Sequence, residues 1–476
     1  MDDVIEVAAA VRSGRVRAAA VVEECLAAIT AGNPALNAFV YLDADGARAR
    51  AAAIDESVAA GRDPGLLAGV PFGVKDLDDC AGMPTTRGSR WFADAPPAEC
   101  DALHVERLRA AGAIPVGKTA APEFGTWAYT ASPLHGVTRN PWNLALTPGG
   151  SSGGSTAAVS AGLVPFATSS DGGGSTRTPA GFTGLVGHKA SFGRVPDRAS
   201  TRYSQTAAPG CVATTVLDAA RLLDVMSGPH RHDRTSLPAA GVSYEVAADE
   251  LDARPLRIAW SVDLGFAIVD PDVAAIAGAT FEALADASEA RIADRRVRFD
   301  DPIPVWSRLE GADMWVNLPD GLYPERADEL DPLVRPGWDA AAAVTLPKYG
   351  RVLRARLAIE AALADLFDEI DVLVTPTAAI PAFAAEGPMP TEICGRTVHG
   401  GMGVPFAMLA NVWGSPAISV PAGLTAAGLP VGVQIMADRH RDDVCLRLAR
   451  ILECARPWPR HAPHHRAPPR PESHLR

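Results

Sequence analysis

Residues 147–180 read TPGGSSGGSTAAVSAGLVPFATSSDGGGSTRTPA, and the rest of the chain is read outward from them. They carry two glycine-serine clusters, Gly149 to Ser155 and Asp171 to Ser175, joined by a helix-like run from Thr156 to Ala161 and a strand-like run from Val164 to Ser169. Glycine is costly inside regular structure and is kept where the backbone turns sharply or approaches a ligand closely. A phosphate-cradling loop needs G-x-x-x-x-G-K-[ST], and no lysine follows either cluster. A flexible Gly/Ser linker would lack the apolar pattern between the clusters and the opposite charges of Asp171 and Arg177 that bracket the second. The third reading is nucleophilic catalysis, in which an exposed serine sits among glycines whose N–H groups are free to bind an oxyanion.

Upstream, LAGVPFGVKD (67–76) alternates Val70, Phe72 and Val74 as a strand and ends on Lys75-Asp76, followed by CAGMPTTRGS. Read alone, Lys75 is an exposed strand-end lysine, because lysine is rarely buried. Asp101 to Gly112 reads as a helix and Ala113 to Lys118 as the next strand. In PEFGTWAYTASPLHGVTRNPWN, Trp127 and Tyr129 are either cleft or core aromatics. Residues 4–60 read as alanine-rich packing helices broken at Ser13-Gly14 and Gly32-Asn33-Pro34.

Downstream, a helix runs from Thr215 to Gly228, and the pattern then loosens from Pro229 to about Lys348. That stretch holds a strand (Leu256 to Trp260), a helix opened by Asp270-Pro271-Asp272, a strand (Arg291 to Phe299) and Trp- and Pro-rich irregular sequence. A helix from Tyr349 to Ile370 leads to apolar runs at 371–375, 417–421 and 430–436, suited to central strands, and to a closing helix from Arg441 to Ala455. The Pro-, His- and Arg-rich tail 457–476 reads as disordered.

The 476-residue chain is 47% hydrophobic and 21% charged, the composition of an ordinary soluble globular protein able to bury a large core. Its formal charge of −12 argues against nucleic acid as a partner, which would need basic patches. Seven scattered cysteines without a CxxC pair read as reduced thiols in a cytoplasmic protein, with neither a disulfide framework nor a metal site. The acidic N-terminus has no continuous apolar core and no apolar run reaches about 18 residues, so no membrane segment is expected.

The two clusters together resemble the amidase signature hydrolases: a GGSSGG cluster, here Gly149 to Gly154, then Asp-x-Gly-Gly-Ser-x-Arg-x-Pro, here Asp171 to Pro179. Thr176 stands where an aliphatic residue is usual, and His188 where leucine is usual. The resemblance extends through VKD and AGMPTTRGS to about residue 456. It implies an α/β fold with a large mixed central β-sheet flanked by helices on both faces. One catalytic domain spans 1–456, with a core of about 60–228 and 365–456, neither part folding alone, and a peripheral substrate-side region of about 229–364.

For the site, the resemblance implies Ser175 as nucleophile, Ser151 as proton relay after a cis Gly150–Ser151 peptide, and Lys75 as a base that is neutral at rest. Backbone N–H groups of Gly172, Gly173, Gly174 and Ser175 form the oxyanion hole, Asp171 pairs with Arg177 to shape the turn, and Ser152 supports the relay. Such a base requires a buried Lys75 whose pKa falls from about 10.4 toward 7, within the reach of burial. His188 is then a structural histidine, since the family mechanism uses none.

Cleft-lining candidates are Gly125, Thr126 and Trp127 on one side and Met408 and Trp413 on the other. They are apolar or aromatic and no arginine is placed to clamp a carboxylate, which points to neutral hydrophobic amides or aryl esters. Carbamate (urethane) hydrolysis by the same triad is the alternative. A glutaminase-type amidase subunit of a tRNA-dependent amidotransferase is a third reading. No cofactor or metal is expected, the partner is the small-molecule substrate, and the state is monomer or homodimer.

Overall fold

The computed structural model describes residues 3–198 and 203–463. One mixed sheet of eleven strands runs through it. From one edge it holds, in spatial order, Phe39–Leu42, Ile114–Thr119, Pro71–Lys75, Phe166–Asp171, Ala208–Ala213 and Val186–Lys189. It continues with Ala417–Leu424, Pro430–Ala437, Val372–Pro376, Arg257–Trp260 and Arg291–Ile292.

Helices cover both faces, which is why the central strands read as continuous apolar runs rather than alternating ones. Successive strand residues point to opposite faces. Val372 and Val374 enter the larger core, which holds Val22 and Ile29 of helix Ala18–Leu36, Leu222 of Val216–Met226 and Leu448 of Asp442–Ala455. Leu373, between them, enters the opposite core with Leu363, Leu366 and Phe367 of helix Leu346–Glu369.

Several expectations change. Residues 4–60 are not only helical: Phe39–Leu42 forms an edge strand, antiparallel to Ile114–Thr119. Helix Ala18–Leu36 continues through Pro34, because Asn33 Oδ1 accepts the Ala38 and Phe39 amides and the break falls after Leu36. The region 229–364 is peripheral only in part. Arg257–Trp260 and Arg291–Ile292 extend the sheet in parallel beside Val372–Pro376, and helix Pro271–Ser288 buries Val273, Phe281 and Leu284 in the larger core. The strand expected over 291–299 pairs only at Arg291 and Ile292.

The tail is docked over its first residues: Trp458 Nε1 donates to Thr214 O at 3.1 Å and the Ala462 amide to Ser160 O at 2.8 Å. Its remainder from residue 464 lies outside the described residues. All seven cysteines are free thiols. Among the described residues no helix is long and apolar enough to cross a membrane.

Strands Pro71–Lys75 and Phe166–Asp171 are parallel neighbours, and both end at the same edge of the sheet. Lys75 closes one and Asp171 the other. Ligand crevices in such sheets lie outside the carboxyl ends of the strands.

Candidate active site

Each glycine-serine cluster opens a helix. Ser151 and Ser152 precede Gly153–Ser160, and Ser175 precedes Arg177–Thr183 by two residues. The Ser152 amide donates to Ser175 O at 3.2 Å, which ties one junction to the other.

Lys75 is fully buried, as a base in this position requires. Its Nζ lies 2.8 Å from Ser151 Oγ, 2.8 Å from Ser152 Oγ and 3.0 Å from Ser170 Oγ. Its own amide donates to Thr168 Oγ1 at 2.8 Å, and that hydroxyl donates to Asp78 Oδ2 at 3.0 Å. The backbone and the amine are therefore both held. The Gly150–Ser151 peptide is cis. Ser175 itself is half-buried, so a substrate can reach it.

The turn around Ser175 is built on Asp171. Arg177 Nε and Nη2 donate to its two oxygens at 2.9 and 2.7 Å, a bidentate pair with both partners fully buried. The Gly174, Thr176 and Arg177 amides donate to the same carboxylate. Burial alone would raise the Asp171 carboxyl, but the charge and hydrogen bonds of Arg177 outweigh it and hold it well below the usual carboxylate range. The Gly174 amide, one of four expected oxyanion donors, is thus engaged by Asp171 at 2.8 Å, leaving Gly172, Gly173 and Ser175 as candidates.

The expected cleft residues separate. A Cβ at Gly125, whose φ is +75°, would stand 3.3 Å from Ser151 Oγ and 2.8 Å from Leu77, so this glycine lies directly against Ser151. Thr126 follows it, its hydroxyl donating to Glu123 O at 2.8 Å. Trp127 stacks on Tyr129 at 5.9 Å and joins an apolar cluster with Met408, Ile303 and Trp306. Trp413 does not join them: it packs against Phe367 at 4.9 Å in the core behind the sheet and lines a separate surface cavity of about 430 Å³. It closes the short helix Met408–Trp413, whose turn carries Met408 and Trp413 to different sides. His188 also stands apart, buried beside Asp442.

The family model described as Amidase matches residues 20–446. The chain belongs to the amidase signature family. It is 37% identical over 465 residues to an acylamidase of Rhodococcus erythropolis, covering 95% of each chain. A solved bacterial aryl acylamidase of the amidase signature family matches with a TM-score of 0.89 at 29% identity over 96% of both chains. A glutamyl-tRNA(Gln) amidotransferase subunit of Synechococcus sp. (strain RCC307) is 34% identical, over 94% of this chain and 96% of its own. The protein is accordingly an amide-hydrolysing enzyme with the mixed α/β fold of that family.

Sequence reading missed several residues of this amidase site. Ser170 is one contact of Lys75; the polar run Thr168-Ser169-Ser170-Asp171 closing a buried strand was the signal. Asn411 donates to Asp171 O and accepts from Arg177 at 2.7 Å, and Gln434 accepts from Arg177 Nη1 while its amide donates to Phe406 O. A lone amide inside each of the apolar runs ANVW and PVGVQI marked them, since a buried amide must find partners. Trp306 carried no such mark; its indole donates to Gly172 O at 2.7 Å.

Proposed function

We propose that this amidase is a serine hydrolase that cleaves the C–N bond of neutral, hydrophobic amides, aryl and acyl amides and by extension aryl esters, through an acyl-enzyme on Ser175. The observation that carries the reading is the buried 2.8 Å contact of Lys75 Nζ with Ser151 Oγ, beside a half-buried Ser175. Ser175 Oγ attacks the carbonyl carbon as its proton passes to Ser151 and the Ser151 proton passes to Lys75. The amides of Gly172, Gly173 and Ser175 receive the oxyanion. Collapse breaks the C–N bond, and the proton returns through Ser151 to the departing amine. Water then repeats the sequence on the acyl-enzyme, freeing the acid and Ser175.

The substrate class rests on the cleft chemistry. Trp127, Met408, Ile303 and Trp306 supply an apolar wall. Arg177, two residues from the nucleophile, is fully engaged by Asp171, Asn411, Gln434 and Ala407 O, so it offers no clamp for a carboxylate. The likeness to acylamidases supports the same class. A carbamate presents the same carbonyl and expels the same amine, and is the second reading. The likeness to a component of a glutamyl-tRNA(Gln) amidotransferase keeps glutamine in the test.

A panel of p-nitroanilides, aryl carbamates, glutamine and malonamate, assayed with wild type and Ser175→Ala, decides among them. We expect anilides to turn over fastest and Ser175→Ala to abolish turnover without unfolding. Preference for glutamine or malonamate would overturn the hydrophobic-cleft reading, and wild-type rates in Ser175→Ala would overturn the nucleophile.

A further inference from the structure

We infer that Trp306, on a helix outside the signature motif, is a positioning residue for the oxyanion-binding peptide; the inference rests on Ser175 being the nucleophile. Trp306 lies on helix Ile303–Val316 and its Nε1–H donates to Gly172 O at 2.7 Å. Its six-membered ring covers the next residue so closely that a Cβ at Gly173 would fall 2.2 Å from Cζ2. Only glycine fits beneath that ring.

The carbonyl of Gly172 and the N–H of Gly173 belong to one peptide unit, and that unit is not among the cis bonds of the described residues. In a trans peptide the C=O and N–H vectors point in opposite directions across a rigid plane. Fixing the Gly172 oxygen on the indole therefore fixes the Gly173 N–H on the far side of the plane. Without the indole the plane is free to rotate about flanking glycine torsions, which are the most permissive in the chain. The turn is thus anchored at two points: Asp171 takes the Gly174 amide from within, and Trp306 takes the Gly172 carbonyl from without. The Gly173 amide lies between the anchors.

The helix that bears Trp306 is itself held. Glu310, one turn on and so on the same face, lies against Gly172, where a Cβ would stand 3.3 Å from Oε1. The Thr206 hydroxyl donates to that carboxylate. Leu309 is fully buried with Val352 and Val412. A helix pinned on two sides can set a peptide plane, whereas a loose one would only line a pocket.

A purely wall-forming tryptophan and a positioning one differ in which kinetic constant they move. An interaction felt only in the transition state lowers kcat, while a lost contact with bound substrate raises KM. Trp306→Phe keeps an aromatic ring in the apolar wall and removes the N–H. We expect kcat for a p-nitroanilide to fall about ten-fold, less than the roughly 10²- to 10³-fold seen when an oxyanion donor is itself removed, with KM changed less than about two-fold. Affinity for an aryl trifluoromethyl ketone, whose adduct carries the oxyanion, should fall by the same factor as kcat. Trp306→His, which restores a ring N–H, should recover most of the loss, and thermal melts check that both variants are folded. An unchanged kcat with a raised KM, or loss of kcat without loss of ketone affinity, overturns the positioning role. Ser175→Ala is run alongside: if it retains turnover the nucleophile assignment has failed, whereas an inactive Ser175→Ala with a fully active Trp306→Phe rejects Trp306 alone.

Discussion

The turn that carries Ser175 and the outer wall that residues 322–338 form against Phe124 are held by different kinds of contact. In the turn, most partners of the Asp171 carboxylate stand within six residues, namely the amides of Gly174, Thr176 and Arg177 and the Arg177 guanidinium, with Asn411 Nδ2 added from 240 residues away. The wall is held across the chain. Glu123 accepts the Asp331 amide 208 residues away, and Phe124 meets Trp338 edge to face at 5.8 Å, inside a cluster of Leu322, Leu330 and Val334. Local partners leave a motif in the sequence, and distant ones leave only apolar residues in irregular surroundings. The turn is thus encoded compactly, while the packing around Phe124 draws on residues more than 190 positions away.

A polar core that works as a single device loses its function as one. Lys75→Ala and Ser151→Ala should each cost on the order of 10³-fold or more in kcat, and the double variant should be little worse than the poorer single, because a shared relay is lost only once. Their contact is a 2.8 Å bond between two buried side chains, so each deletion disables the other group. Multiplicative losses measured in a double-mutant cycle would mean that the two act independently.

The wall should answer differently. Trp338 is 1% exposed and its removal takes away the packing partner of Phe124, the residue before Gly125. Trp338→Ala should raise KM for bulky anilides about ten-fold and leave kcat within a few-fold, with Trp338→Phe recovering most of the affinity. A kcat loss as deep as that of Lys75→Ala would show that wall and turn are one unit.

The same division explains what was legible in the sequence. The triad candidates, the Asp171–Arg177 pair and Gly125 stood out through the resemblance of the short runs that hold them to the amidase signature, and the structure sets Lys75 against Ser151, Arg177 against Asp171 and Gly125 against Ser151. The mixed sheet was legible as apolar runs, yet Arg257–Trp260 and Phe39–Leu42 were assigned to the periphery or to helices. Those strands are short and at or near the sheet edges, where pairing leaves little pattern. Trp413 was misplaced for a related reason. An aromatic residue looks the same in sequence whether it faces a cleft or, as here, Phe367 in the core. Trp306 was invisible because its meaning lies in a single contact 134 residues away.

The smallest expected effect concerns a residue that belongs to neither region. His188 is buried on the Val186–Lys189 strand, its Nε2 3.6 Å from Asp442 Oδ1, too far for a hydrogen bond. Burial, opposed in part by Asp442 and reinforced by Lys189 and Arg177, pushes its pKa down to about 4. Asp442 is meanwhile satisfied by the Ser191 amide and hydroxyl and faces Arg194, so it does not need a charged imidazole. In the unfolded chain the same imidazole titrates near 6.5. Between the two values the unfolded chain binds a proton that the folded one refuses, so the contribution of His188 is full above about pH 6.5 and is lost as pH falls toward 4. One proton gives a slope of up to about 1.4 kcal/mol per pH unit in that window. His188→Leu should remove that part of the slope in denaturant titrations between pH 4 and 6.5 while leaving anilide turnover at pH 8 within about two-fold of wild type, since no step of the Lys75–Ser151–Ser175 relay passes through it. A loss of turnover approaching that of Ser175→Ala would instead make the histidine part of the chemistry, and an unchanged slope would mean that the imidazole is already charged in the fold.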